Sequence, residues 1–100
     1  MPFSTNISPK CFQLTAQPGT TYQDNAIVFP GVAVFAQIYN KSMGPVSVRL
    51  NADPDATFTL DGSTTQVFNS GEVHLISVAF DNSTSGAKPV IVEVIVGVVA

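Results

Sequence analysis

The sequence predicts an all-β fold: a single eight-stranded β-sandwich or jelly roll with an extended N-terminal arm. Three observations carry this prediction. Apolar and polar residues alternate at a period of two in most segments, and turn residues recur roughly every 8–12 positions. No stretch repeats apolar residues at helical spacing for long enough to make an amphipathic helix. The 100 residues suit one domain, divided into an arm or connector over residues 1–15 and a sandwich core over 16–100.

Residues 1–9 lack periodicity and carry Pro2 and Pro9, which oppose a helix, so an extended arm is expected there. Phe12, Leu14 and Ala16 then alternate with Cys11, Gln13 and Thr15, up to Pro18-Gly19. Residues 20–29 form a weaker, edge-like run broken by Asp24-Asn25. Val32, Val34, Ala36 and Ile38 alternate with Ala33, Phe35, Gln37 and Tyr39, which predicts a central strand. Residues 40–45 are turn material. Val46, Val48 and Leu50 face one way and Ser47, Arg49 and Asn51 the other.

A loop over 52–55 precedes Phe58 and Leu60. Asp61-Gly62 reads as a two-residue hairpin turn, whose central positions need positive φ. Residues 65–68 return, and Asn69-Ser70-Gly71 turns again. Residues 73–80 place Ile76, Val78 and Phe80 on one face. The Ser-, Gly- and Asn-rich stretch 81–88 is an exposed loop, and Pro89 opens the last strand, where its missing N–H is tolerable. The expected core is Val34, Ile38, Val48, Leu50, Phe58, Leu60, Ile76, Val78, Phe80 and alternate residues of that last strand.

Residues 90–100 are Val or Ile apart from Glu93, Gly97 and Ala100, enough for one strand of roughly 35 Å. Such a strand needs cover on both faces. One face joins the core. The other, with Ile91, Glu93, Ile95, Gly97 and Val99, is the face a small monomer has trouble covering. Glu93 reads as a charge set against uncontrolled pairing, and Gly97 as a gap for close backbone approach. A neighbouring subunit is expected on that face or at the strand's edge.

Composition supports association. Only 11% of residues are charged, against roughly 25% in an ordinary soluble domain, so the charge that keeps proteins apart is scarce. The net charge of −3 and four scattered cations (Lys10, Lys41, Arg49, Lys88) exclude a basic nucleic-acid-binding face. No apolar run is long enough to span a bilayer, and residues 1–15 lack a Sec-type signal. The sequons at Asn6, Asn40 and Asn82 carry no weight without one.

Chemistry-bearing residues are few. Cys11 and His74 form the one conceivable nucleophile and base, but nothing in the pattern positions them together, so no catalytic residue and no cofactor is expected. One His and one Cys cannot close a zinc site. Asp53, Asp55 and Asp61 lack the alternating order of a calcium loop and read as solvated turns. Tyr22 and Tyr39 are the only amphipathic rings in a chain without Trp, so a carbohydrate-binding module is a lesser alternative.

The arm carries Phe3 and Ile7, which an extended chain can lay on a neighbour's sheet. The chain also resembles the bacterial endospore-appendage fibre subunits. The likeness lies in the arm with its cysteine and a charge-poor, Thr/Val-rich domain. Within that domain it rests on residues 34–42, Pro45-Val46-Ser47-Val48, residues 57–63 and residues 72–78, and covers about residues 31–100. It implies a jelly-roll core stacking by sheet augmentation, with residues 1–15 as a connector into preceding subunits. Family members with cross-linked fibres have several cysteines; here Cys11 is alone and can link at most two subunits.

The expected function is therefore that of a self-assembling subunit of a surface or extracellular fibre, a spore-appendage- or pilus-like homopolymer without catalytic activity. The expected inter-subunit contacts are Phe3, Ile7, Cys11, Ile91, Glu93, Ile95, Gly97 and Val99. The alternative is a virion structural protein, such as a phage decoration or tail component, leaving the cell by lysis.

Overall fold

The computed structural model describes residues 7–83 and 88–99. They form seven antiparallel strands: β1 (Ile7–Ala16), β2 (Ala26–Asn40), β3 (Val46–Leu50), β4 (Thr57–Leu60), β5 (Thr65–Phe68), β6 (Leu75–Asp81) and β7 (Val90–Val99). Among the described residues there is no helix, and so none long and apolar enough to cross a membrane. The strands make one sheet in the order β1-β7-β2-β6-β3-β4, with β5 also paired to β2.

The count is seven and not eight because the runs expected over 20–29 and 32–39 are joined in β2, which is 15 residues long. Residues 20–25 are loop, and the strand starts at Ala26. The first part of β2 pairs with β6 (Ala26↔Ala79, Ile27↔Val78, Val28↔Ser77). The second part lies between β7 and β5 (Ala36↔Val96 on one side, Ala36↔Phe68 on the other). The β2/β6 register shifts between Val28 and Ala33, around Pro30-Gly31; Ala33 still pairs with Leu75 of β6 and already with Val98 of β7, and β5 replaces β6 by Ala36. A Cβ on Gly31 would stand 2.8 Å from Val98 Cγ1 and 3.2 Å from the Val99 carbonyl oxygen, so the crossing requires glycine.

This switch lets one sheet face itself. Phe12 of β1 meets Phe29 of the first part of β2, with ring centroids 5.7 Å apart. At the opposite side Phe58 of β4 meets Phe68 of β5 edge-on, at 6.2 Å and 70°. Neither pair comes from hydrogen-bonded strands. These contacts therefore run across the interior, between a half built from β1, β7, β5 and the end of β2 and a half built from β4, β3, β6 and its beginning. Val46, Val48, Val78, Phe80, Ile38 and the Val residues at 90, 92, 94, 96 and 98 fill the space between.

Two core assignments from the alternation are corrected. Val34 is only half-buried, whereas Ala33 and Ala36 are fully buried. Ala33 pairs with Val98 and Phe35 with Gly97, so Val34 is an extra residue on β2. Such a bulge reverses the inward parity of everything after it. Ile76 is 56% exposed and Leu75 is buried in its place. The register shift between Val28↔Ser77 and Ala33↔Leu75 turns Leu75 inward. The Asn51 side chain then substitutes for a strand partner, accepting from the Ile76 N–H (2.7 Å) and donating to the His74 carbonyl (3.0 Å).

The turn at Asp61-Gly62 is not a hairpin. β4 pairs with β3 and β5 with β2, so this connection crosses from one half of the sheet to the other. Ser63 (φ 60°), not Gly62, adopts the left-handed conformation there. The tight left-handed pair lies instead at Asn51 (φ 57°) and Ala52 (φ 55°), closed by the Asp53 N–H on the Leu50 carbonyl at 3.0 Å.

Three asparagines fasten the loops from inside. Asn40, fully buried, donates to the carbonyls of Gly44 (2.8 Å) and Leu60 (3.1 Å) and accepts from the Ser42 N–H (3.0 Å). Asn82 donates to Ala16 (2.9 Å) and Lys88 (3.0 Å). Asn25 donates to the Phe80 carbonyl (3.1 Å) and to Thr20 Oγ1 (2.8 Å). Two of the sequon asparagines, 40 and 82, are thus buried with their amides engaged, and Asn6 lies outside the described residues.

Candidate assembly surface

β7 is not an edge. It lies between β1, paired over its whole length from Ile7↔Val99 to Ala16↔Val90, and β2. The expectation of a neighbour at its edge is corrected accordingly: both edges are occupied within the chain. Its inward residues, Val90, Val92, Val94, Val96 and Val98, are all buried, as the alternation requires.

The backbone of β7 fixes which way β1 faces. The Ile91 N–H donates to Ser42 Oγ (2.7 Å) and the Ile91 carbonyl accepts from the Lys41 N–H (2.8 Å), so both groups point toward the β2 side. With a period of two and no break in the β1/β7 register, Glu93, Ile95 and Gly97 point the same way. Their partners on β1, which are Thr15, Gln13, Cys11 and Pro9, turn their backbone groups away from β7. Pro9 sits where its missing N–H costs no ladder bond. Among the described residues β1 therefore presents an open edge, with the N–H groups of Cys11, Gln13 and Thr15 unused by the sheet.

The same register arranges the outer face in rows. Cys11, Ile95, Gln37 and Val67 lie side by side across β1, β7, β2 and β5, followed by Gln13, Glu93, Tyr39 and Thr65. Ile7 is 45% exposed, Ile95 36% and Val67 42%, and the Cys11 thiol is exposed. Ile91 and Val99 are half-buried. Glu93 is paired with Lys41 at 3.2 Å; both are substantially exposed, so the pair contributes at most about 1 kcal/mol.

Gly97 differs from expectation. It is buried, and a Cβ there would meet Ile7 Cγ2 at 2.7 Å and Phe35 Cβ at 3.5 Å. The gap is filled from within the chain and offers no seat to a neighbour. Ile7, expected on a free arm, belongs to β1, as do residues 7–15 of the expected connector. Phe3 lies outside the described residues.

The structure does not build a reaction centre from the residues considered above. Cys11 is on β1 and His74 immediately precedes β6, with β7 and β2 between those strands in the sheet. Asp53 accepts from the Asp55 N–H (2.9 Å) as a turn residue. No three His, Cys, Asp or Glu residues among the described ones come together as metal ligands. Tyr22 and Tyr39 are both half-buried.

No family model and no curated protein matches the sequence. Solved structures do resemble the fold. PirA superposes with a TM-score of 0.52 at 13% identity, over 86% of this chain and 92% of that one. A Bacillus halodurans protein superposes with 0.57 at 11% identity, over 95% of this chain but 65% of that one. These two likenesses show a shared fold and nothing about activity. A subunit of the disulfide-linked Bacillus endospore appendages aligns over 98% of this chain and 93% of that one, at 14% identity. Its TM-score of 0.48 is too loose to decide fold or function.

Proposed function

We propose that the protein is a structural subunit that polymerises by sheet augmentation into a fibre outside the cell or on its surface. The observation that carries this reading is the open edge of β1. It is a ten-residue edge strand whose Cys11–Thr15 part, residues 11–15, bears no charge, next to an apolar outer row. Soluble proteins usually guard such an edge with charges, bulges or a covering loop. Among the described residues Pro9 and Lys10 guard only its beginning.

β1 and β4 end the sheet at opposite extremes and are unlike each other, so pairing β1 of one subunit with β4 or β5 of the next is head-to-tail. Contacts of that kind generate filaments when the rotation between subunits does not close a ring, and this reading takes the open case. The two facing halves are read as a jelly roll, and the connector role falls to β1. A charge-poor surface suits a molecule that spends its working life covered by copies of itself.

Gln13→Pro tests this reading. The Gln13 N–H points away from β7, so proline leaves the internal ladder intact while removing a donor and obstructing the edge. Sedimentation velocity should show large, concentration-dependent species for wild type and for Cys11→Ser, and monomers for Gln13→Pro with an unchanged circular dichroism spectrum. Undiminished assembly of folded Gln13→Pro would remove β1 augmentation from the account.

A further inference from the structure

The outer face of the other half-sheet carries a feature that assembly through β1 does not use. Arg49 of β3 points outward in a row with Ala79, Ala26 and Thr57. Its guanidinium carbon lies over the Tyr22 ring, 3.9 Å from the centroid, a cation–π arrangement. Nε donates to Thr57 Oγ1 at 3.3 Å. No carboxylate among the described residues forms an ion pair with it.

The loop that brings Tyr22 to this position is itself braced. Asp24 accepts from the Thr21 N–H at 3.0 Å, the Asn25 N–H donates to the Tyr22 carbonyl at 3.3 Å, and Asn25 is anchored on Phe80. Together the loop and the strands border an open depression of about 300 Å³, at the small end of the roughly 300–1,000 Å³ usual for ligand sites. Besides Tyr22 and Arg49 it is lined by Ala26, Val28, Ala52 and Ala79 and by the polar residues Gln23 and Ser77. Val28 is 74% exposed, so this part of the apolar lining is open to solvent.

We propose that this depression binds a carboxylate carried on a small aliphatic body. The guanidinium is held by the Tyr22 ring on one side and by Thr57 at Nε, and Arg49 lines the depression with its terminal N–H groups in no hydrogen bond among the described residues, so that fork is available to a ligand there. A planar fork matches a carboxylate with two parallel hydrogen bonds, and stacking on a ring reduces the freedom lost when they form. The Ala and Val lining takes the apolar body, and its small side chains leave room for a branched chain of few carbons. Charge complementarity selects the occupant. Lys41 already has Glu93, whereas Arg49 lines a mostly apolar depression with no acidic partner among the described residues. A neutral ligand would leave that fork unanswered.

The test is a ¹H–¹⁵N titration of the intact protein with sodium isobutyrate, against isobutyramide and inorganic phosphate. Saturable shifts at Arg49 Nε and at the amides of Val28 and Ser77 are expected, with a Kd on the order of 1–10 mM for so small a ligand. Isobutyramide and phosphate should each bind at least tenfold more weakly. Arg49→Gln should abolish the shifts and Arg49→Lys weaken them severalfold, both with wild-type chemical shifts elsewhere; Val28→Ser should weaken isobutyrate but not phosphate. Equal binding of the amide would overturn the proposal. So would equal binding of phosphate, which would reveal a general anion contact, and so would binding by Arg49→Gln equal to wild type.

Discussion

Gly62→Ala is expected to lower stability by about 3 kcal/mol, among the larger effects of a single substitution. A Cβ at this position would lie 2.0 Å from the Met43 carbonyl oxygen, 2.3 Å from its carbon and 2.8 Å from the Ser42 carbonyl oxygen. All three are backbone atoms and cannot swing aside as a side chain would. The two turns are also tied together: the Ser63 N–H is within 2.9 Å of the Asn40 and Ser42 carbonyls, and the Asn40 N–H bonds the Thr64 carbonyl at 2.9 Å. Relief by separating the turns would break those bonds. Urea unfolding followed by circular dichroism measures the loss. A change below about 0.5 kcal/mol, the size usual for an unremarkable surface substitution, would show that the turns are not in this contact.

Asn40→Ala is the second large effect, again about 3 kcal/mol. The side chain is fully buried and satisfies three backbone groups, the carbonyls of Gly44 and Leu60 and the N–H of Ser42. Truncation leaves each without its partner, and a buried polar group left unsatisfied costs about 1–3 kcal/mol. The Ser42 N–H, which is only part-buried, recovers part of that by hydration. For a chain of this length the melting temperature should fall by roughly 12–24 °C. Asn40→Asp should fall at least as far, because it sets a carboxylate oxygen against two carbonyl oxygens. A melting temperature within about 4 °C of wild type, corresponding to less than ~1 kcal/mol, would mean that water replaces the amide without penalty.

These two sites also show where the sequence was legible. Strands β3, β7 and residues 11–16 of β1 follow directly from alternation, because no bulge interrupts them and each keeps one inward parity, whereas residues 7–10 read as arm and join β1 only through pairing with β7. In β2 the alternation holds for Ala36 and Ile38 but not for Val32 and Val34, because a single extra residue, Val34, sets Ala33 inward before the bulge and reverses parity after it without altering composition. The same limit exchanged Ile76 for Leu75. Asp61-Gly62 was singled out correctly but for a conformation it does not adopt; its need for glycine comes from the Met43 backbone, a tertiary neighbour no local pattern reveals. Asn51-Ala52, the pair that does turn left-handed, carries no comparable signal.

The expected assembly residues divide on the same principle. Alternation placed Ile91, Glu93, Ile95, Gly97 and Val99 together on the outward face of β7, and the register agrees. Whether that face or its edges were free depended on which strands flank it, and pairing order is not written in local periodicity. Apolar character on both faces of β7 reflects its place between β1 and β2, with Ile7 and Phe35 over Gly97. The open edge moved one strand outward, to β1. The Arg49–Tyr22 pair went unnoticed because the two residues meet only through the loop that Asn25 anchors.

Negative-stain microscopy of the purified protein over a rising concentration series tests the central claim most directly. The account predicts unbranched filaments of uniform width that lengthen with concentration and need neither an added partner nor the Cys11 thiol. Isolated 10.5 kDa particles at every concentration, with no filaments and no larger species, would contradict it.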